Sequence, residues 1–96
     1  MKIDFVKDSN NLKVSLEGRL DTNTAPEFES FLCENYCDLA SLTIDCEKLT
    51  YVSSAGLRVL LAANKRLKGA MQLTNVCELV MEVLEMTGFA DILEIK

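Results

Sequence analysis

A chain of 96 residues is long enough to build one hydrophobic core and too short for two. Its composition, 49% hydrophobic and 26% charged, is that of an ordinary globular domain, and its net charge of −5 excludes the basic footprint of a nucleic-acid binder. The start, Met1-Lys2-Ile3-Asp4-Phe5-Val6, has no apolar leader and no later stretch approaches a membrane span, so the expectation is a cytoplasmic protein with one domain over residues 1–96.

Residues 2–7 set Ile3 and Phe5 against Asp4 and Lys7, and residues 12–18 set Leu12, Val14 and Leu16 against Lys13, Ser15 and Glu17. This period of two, interrupted by the turn composition Asp8-Ser9-Asn10-Asn11, predicts a β-hairpin whose second strand is left through Gly18-Arg19-Leu20-Asp21. Thr24-Ala25-Pro26-Glu27 then places a hydroxyl, a first-turn proline and a glutamate at capping-box spacing. The helix it opens carries Phe28, Phe31, Leu32 and Tyr36 and is expected to run to about Asp38.

Leu42-Thr43-Ile44, ending in Asp45, reads as a short strand, and Cys46–Thr50 as a polar loop leading to Tyr51-Val52. A second helix is predicted from Ser53–Ser54 to Leu67, with Lys65, Arg66 and Lys68 complementing its dipole and Gly69 suited to a left-handed cap. Met71–Thr74 reads as a strand, and Leu79, Val80, Val83 and Leu84 mark the apolar face of a third helix ending around Thr87-Gly88. Ile92, Leu93 and Ile95 fit either a last short strand or a final helical turn. The order β-β-α-β-α-β-α, with an optional closing β, predicts an α/β domain with a mixed sheet and helices packed against it.

Chemistry-bearing residues are few. Cys33, Cys37, Cys46 and Cys77 are expected to be reduced, buried, apolar thiols. The Cys33/Cys37 spacing could let two thiolates share a metal, but the chain has no histidine, and no metal is assigned. Val52-Ser53-Ser54-Ala55-Gly56 lacks the first glycine of a hydrolase elbow, and neither Lys48 nor Lys65 is placed by a motif to act as base. Neither a phosphate-binding P-loop nor a dinucleotide-binding glycine pattern is present, so no cofactor and no enzymatic activity are expected. There remain Ser53 and Ser54, which either cap the second helix by satisfying its orphan N–H groups or carry a regulatory phosphate at its start.

Two stretches decide between these readings by resemblance. The run from Leu42–Asp45 through Tyr51-Val52 to Ser53-Ser54-Ala55-Gly56-Leu57 resembles the STAS family, in particular the bacterial anti-sigma factor antagonists. There a strand ending in an acid leads to an aromatic, an aliphatic and an Asp-Ser-Ser-Gly-Leu run that opens a helix. The upstream Gly18-Arg19-Leu20-Asp21-Thr22-Asn23-Thr24-Ala25-Pro26-Glu27-Phe28 is similar to the family's Gly-x-Leu-Asp…Ala…Phe element. The chain departs from the pattern at Ser53, where an aspartate is usual, and at Ala55.

The resemblance implies a STAS domain that binds an anti-sigma factor with serine-kinase activity, frees a sigma factor, and is switched off by phosphorylation. It puts the phosphate on Ser54, with Ser53 as the alternate, and allows a phosphatase as a further partner. It implies a partner-binding surface of Asp21, Thr22, Ser53, Ser54, Ala55, Gly56, Leu57 and Arg58. Asp21 would orient the loop or meet the kinase's nucleotide and metal; as a plain turn acid it would only end the second strand. The alternative within the family is a scaffold subunit of a lipid-transport ABC complex or of a stress-signalling assembly. In the second helix Leu57, Leu60, Leu61 and Leu67 share the expected core face. Arg58, Val59, Ala62 and Arg66 fall elsewhere, as an exposed mixed patch or as part of a second buried face.

Overall fold

A two-residue turn at Ser9-Asn10 joins strand β1 (Lys2–Asp8) to strand β2 (Asn11–Leu20) in an antiparallel hairpin. Ser9 takes the positive φ, 54°, that such a tight turn requires. The computed structural model describes residues 1–37 and 39–96. After the hairpin come helix α1 (Ala25–Asn35), strand β3 (Ser41–Val52), helix α2 (Ser54–Arg66), strand β4 (Met71–Thr74) and helix α3 (Glu78–Met86). A 3-10 turn (Phe89–Asp91) and a two-residue strand β5 (Glu94–Ile95) close the chain, so of the two endings open in the sequence the strand forms.

The five strands lie in chain order, β2 to β5 running parallel. Right-handed crossovers between successive neighbours that always step the same way put every crossover helix on one face. Burial follows that rule. Val14 pairs with Ile44 and Ile44 with Leu73, and all three are buried. The opposite face carries Lys13, Ser15, Thr43, Asp45, Gln72 and Thr74, exposed or half-covered. Phe28 and Leu32 of α1, Leu57 and Leu60 of α2, and Val80 and Leu84 of α3 complete the core.

The segment expected as a loop, Cys46–Thr50, is strand. β3 runs unbroken for 12 residues, paired to β2 through Glu17 with Lys48, Gly18 with Leu49 and Leu20 with Val52. Register shifts between Ser15 and Glu17 and between Gly18 and Arg19 break the period of two, so Cys46 and Leu49 both enter the core while Glu47 and Lys48 stay outside. That irregularity gives the stretch a loop-like composition.

Smaller corrections have similar causes. The expected end of α1 at Asp38 lies outside the described residues; the helix closes with Tyr36 as its C-cap. Cys33 and Cys37 sit on the exposed side of that end rather than in the core, while Cys46 is buried and Cys77 half-buried. Leu79 is 52% exposed at the start of α3, so that helix's buried face reduces to Val80 and Leu84. In α2, Leu61 and Leu67 are only partly covered, whereas Val59 is buried. The cap of α2 is shifted by one residue: Lys68 takes the left-handed position at φ 54° and Gly69 follows at φ 85°. Their N–H groups donate to Lys65 and Asn64, the paired bonds of a Schellman ending.

Candidate functional site

The carboxyl ends of β2 and β3 and the amino end of α2 meet at one edge of the domain. The Ser53 N–H donates to the Leu20 carbonyl at 2.9 Å, so the start of α2 is pinned to the last residue of β2. Gly56 makes that approach possible. It is buried, and a Cβ there would stand 2.7 Å from Leu20 Cγ, 2.8 Å from the Leu20 carbonyl oxygen and 2.9 Å from Val52 Cγ2.

Asp21 organises the turn beyond β2. Its Oδ1 accepts from the N–H groups of Asn23 at 3.0 Å and Thr24 at 3.2 Å. The Thr24 hydroxyl accepts from the Asp21 N–H at 2.9 Å and donates to the Arg19 carbonyl at 2.7 Å. Thr24 is therefore occupied with the turn and makes no side-chain cap for α1, contrary to the capping-box expectation. Its backbone is already helical, φ −104° and ψ −21°, which aims the hydroxyl backwards instead of at the first helical N–H groups. Partial burial disfavours charge on Asp21, but the Asn23 and Thr24 hydrogen bonds and the Arg19 guanidinium outweigh it and hold the carboxyl below its ordinary pKa of 3.8.

Arg19 was not singled out in the sequence, and the register shift explains why. Opposing Arg19 to Tyr51 lays the guanidinium 4.3 Å from the ring centroid, while its Nε reaches Asp21 at 3.6 Å. No spacing in the sequence announces a contact that depends on a bulge between two strands.

The two serines separate sharply. Ser53 is the N-cap residue of α2 with an extended backbone, φ −101° and ψ 177°, yet its side chain makes no cap bond. Its Oγ is buried with no hydrogen-bond partner. Ser54 is the first residue of the helix and is exposed. Neither hydroxyl plays the capping part that the sequence allowed. One turn later Arg58 is exposed and, with Ala55, faces Thr22, Pro26 and Glu29 across a shallow groove between α2 and α1.

Of the eight residues expected at the partner-binding surface, Asp21, Thr22, Ser54, Ala55 and Arg58 reach the outside at this edge. Gly56 and Leu57 are buried and act on the surface only through packing; Ser53 is half-covered with its oxygen enclosed.

Known proteins share this fold. The sequence profile described as Mlab, STAS domain matches residues 3–94. The chain belongs to the STAS domain family. The anti-sigma-B factor antagonist of Bacillus subtilis is 28% identical over 99 residues, covering 100% of this chain and 91% of its own length. An anti-sigma factor antagonist from Mycobacterium paratuberculosis superposes with a TM-score of 0.86 at 21% identity, covering 98% of this chain and 83% of its own. The Bacillus cell fate determinant SpoIIAA in its phosphorylated form gives 0.76 at 14% identity, over 99% of this chain and 91% of its own. In this STAS domain the sheet order and the Ser53–Leu20 bond bring the Asp21 turn and the start of α2 to one edge.

Proposed function

We propose that this STAS domain, residues 1–96, is an anti-sigma factor antagonist acting in the cytoplasm. It binds an anti-sigma factor that is also a serine kinase, releases a sigma factor, and is switched off when that kinase phosphorylates Ser54. The observation that carries the reading is the contrast at the start of α2: Ser54 is exposed at its first residue, while the Ser53 oxygen is enclosed. A kinase needs the hydroxyl in hand, so Ser54 is the acceptor and Ser53 is not. The names of the relatives support the partner, and the existence of a phosphorylated form of SpoIIAA supports the switch.

The physics of the switch is local. A phosphate adds about −1.5 to −2 charges, and at a helix start it meets unpaired N–H groups and the positive end of the dipole. Refolding in cis is therefore small. In trans the same charge enters the surface formed with Asp21, Thr22, Ala55 and Arg58, where every ~1.4 kcal/mol lost weakens binding tenfold. A phosphatase acting on the exposed phosphoserine would reset the domain.

Incubation with ATP and an anti-sigma factor kinase of the relatives' type, followed by mass spectrometry, is expected to place one phosphate on Ser54. Ser54→Asp is expected to bind that partner at least tenfold more weakly than the unmodified chain. Equal binding by the two would remove the switch. The scaffold reading is favoured by Ser53 standing where the family usually has an acid, and a chain that takes no phosphate from the kinase would leave it in possession.

A further inference from the structure

Phosphate on Ser54 would find a cation already in place. Ser54 and Arg58 are four residues apart in α2, so they lie on one face about 6 Å apart along the axis. Both belong to the exposed strip of α2, together with Ala62, Lys65 and Arg66. An anion N-terminal to a cation at this spacing is the favourable orientation. The first turn of α2 contains no acid.

Arg58 is also uncommitted among the described residues. Among the described residues the ion pairs are Lys2 with Asp4, Arg19 with Asp21 and Lys96 with Glu94, and the cations over aromatic rings are Arg19 and Arg66. The other basic group at this edge, Arg19, is taken up by Asp21 and Tyr51. Glu29 of α1 lines the same groove as Arg58 without pairing to it. The charged groups at this edge are thus Arg58 on the same helix as Ser54, the engaged Arg19–Asp21 pair at the end of β2, and Glu29 across the groove from Arg58.

We propose that Arg58 is the intramolecular counter-charge for phosphorylated Ser54: its guanidinium leaves the α1–α2 groove and clasps the phosphate at the helix start. The proposal rests on the reading of Ser54 as phosphoacceptor and adds a second component to the switch. Phosphorylation would then change the contact surface twice, by adding negative charge at Ser54 and by withdrawing a positive side chain from the groove. A planar guanidinium can hold two phosphate oxygens at once, which an ammonium does only as a point charge.

The test uses full-length protein with phosphoserine installed genetically at position 54, in wild-type, Arg58→Gln and Arg58→Lys backgrounds. Phosphorus NMR follows the second ionisation of the phosphate, near pH 6 when unperturbed. Arg58→Gln is expected to raise that midpoint by roughly half a pH unit, and Arg58→Lys to restore part of the difference. Arg58 is exposed, so its replacement leaves the fold intact, which circular dichroism checks. An identical midpoint in the wild-type and Arg58→Gln proteins would overturn the clasp. Because the phosphate is installed without the kinase, a kinase that fails to label Ser54 defeats the proposed function and leaves this measurement standing. Conversely, an unmoved midpoint leaves phosphorylation itself untouched.

Discussion

Ser53 carries a hydroxyl oxygen that is covered by protein and bonded to nothing. A buried hydroxyl without a partner costs about 1–3 kcal/mol in proteins, whereas a hydroxyl that caps a helix contributes about 0.5–2 kcal/mol. The two roles therefore predict opposite signs for one substitution. Ser53→Ala is expected to leave stability unchanged or to raise it by up to ~1 kcal/mol in urea unfolding, because no cap bond is lost. A loss of ~1 kcal/mol or more would mean that the oxygen caps α2 in solution. The pair of hydroxyls in the sequence marks a helix start correctly, since α2 begins at Ser54. It does not say which oxygen is free, because that depends on how the N-cap is held against the end of β2, where the Ser53 N–H donates to the Leu20 carbonyl. Thr24 teaches the same lesson from the other side: its spacing to Glu27 reads as a capping box, but Asp21 and Arg19 recruit its hydroxyl first.

The elements that were legible are those whose period survives packing. Strand β2, the apolar face of α1 and the short β4 follow from alternation or helical spacing, each set by one side facing a common core, whereas Phe5 of β1 stays exposed and α2 buries Val59 in place of Leu61 and Leu67. β3 was legible only over its first residues, because its register against β2 shifts twice and no regular alternation remains beyond Asp45. The same irregular pairing delivers the site, by carrying β3 to Val52 beside Leu20 and letting α2 start against the end of β2. Gly56 is where that contact is tightest. Gly56→Ala would gain about 1 kcal/mol of helix propensity but drive a methyl into the Leu20 carbonyl, which as backbone cannot step aside. Overpacking of this kind costs about 1–3 kcal/mol, so a net loss of up to about 2 kcal/mol is expected. The start of α2 should shift with it, slowing any phosphorylation of Ser54 in a kinase time course. A variant as stable as wild type with unchanged labelling would show that α2 has room to move.

At the scale of the whole molecule, the sheet is asymmetric, with helices on one face and a polar surface on the other, and two adjacent residues of β3 make stability depend on pH in opposite senses. Asp45, on the polar face, accepts from the Asn75 side chain and the Glu47 N–H, each at 3.0 Å, and these bonds hold its pKa below the ordinary 3.8. Its contribution is present above that value and is lost as pH falls through the lowered one. Cys46, the next residue, points into the core, and burial, reinforced by the charge of Asp45, pushes its thiol up to about 12 from an ordinary 9.0. The sign is reversed here. The folded state keeps the proton while the unfolded chain gives it up, so stability is fully present below pH 9.0 and declines as pH rises towards about 12. Within that window the thiol alone should remove up to ~1.4 kcal/mol per pH unit. Cys46→Ala deletes this slope while adding a cavity cost that does not vary with pH, so the stability of the wild type relative to the variant should fall steadily, through zero once the slope outweighs the cavity, as the solution is made more alkaline. Tyr36, whose pKa burial also raises, is present in both and cancels. Urea unfolding of the reduced proteins across the window reads the difference directly, and a gap that stays constant with pH would show that the Cys46 thiol ionises as readily folded as unfolded.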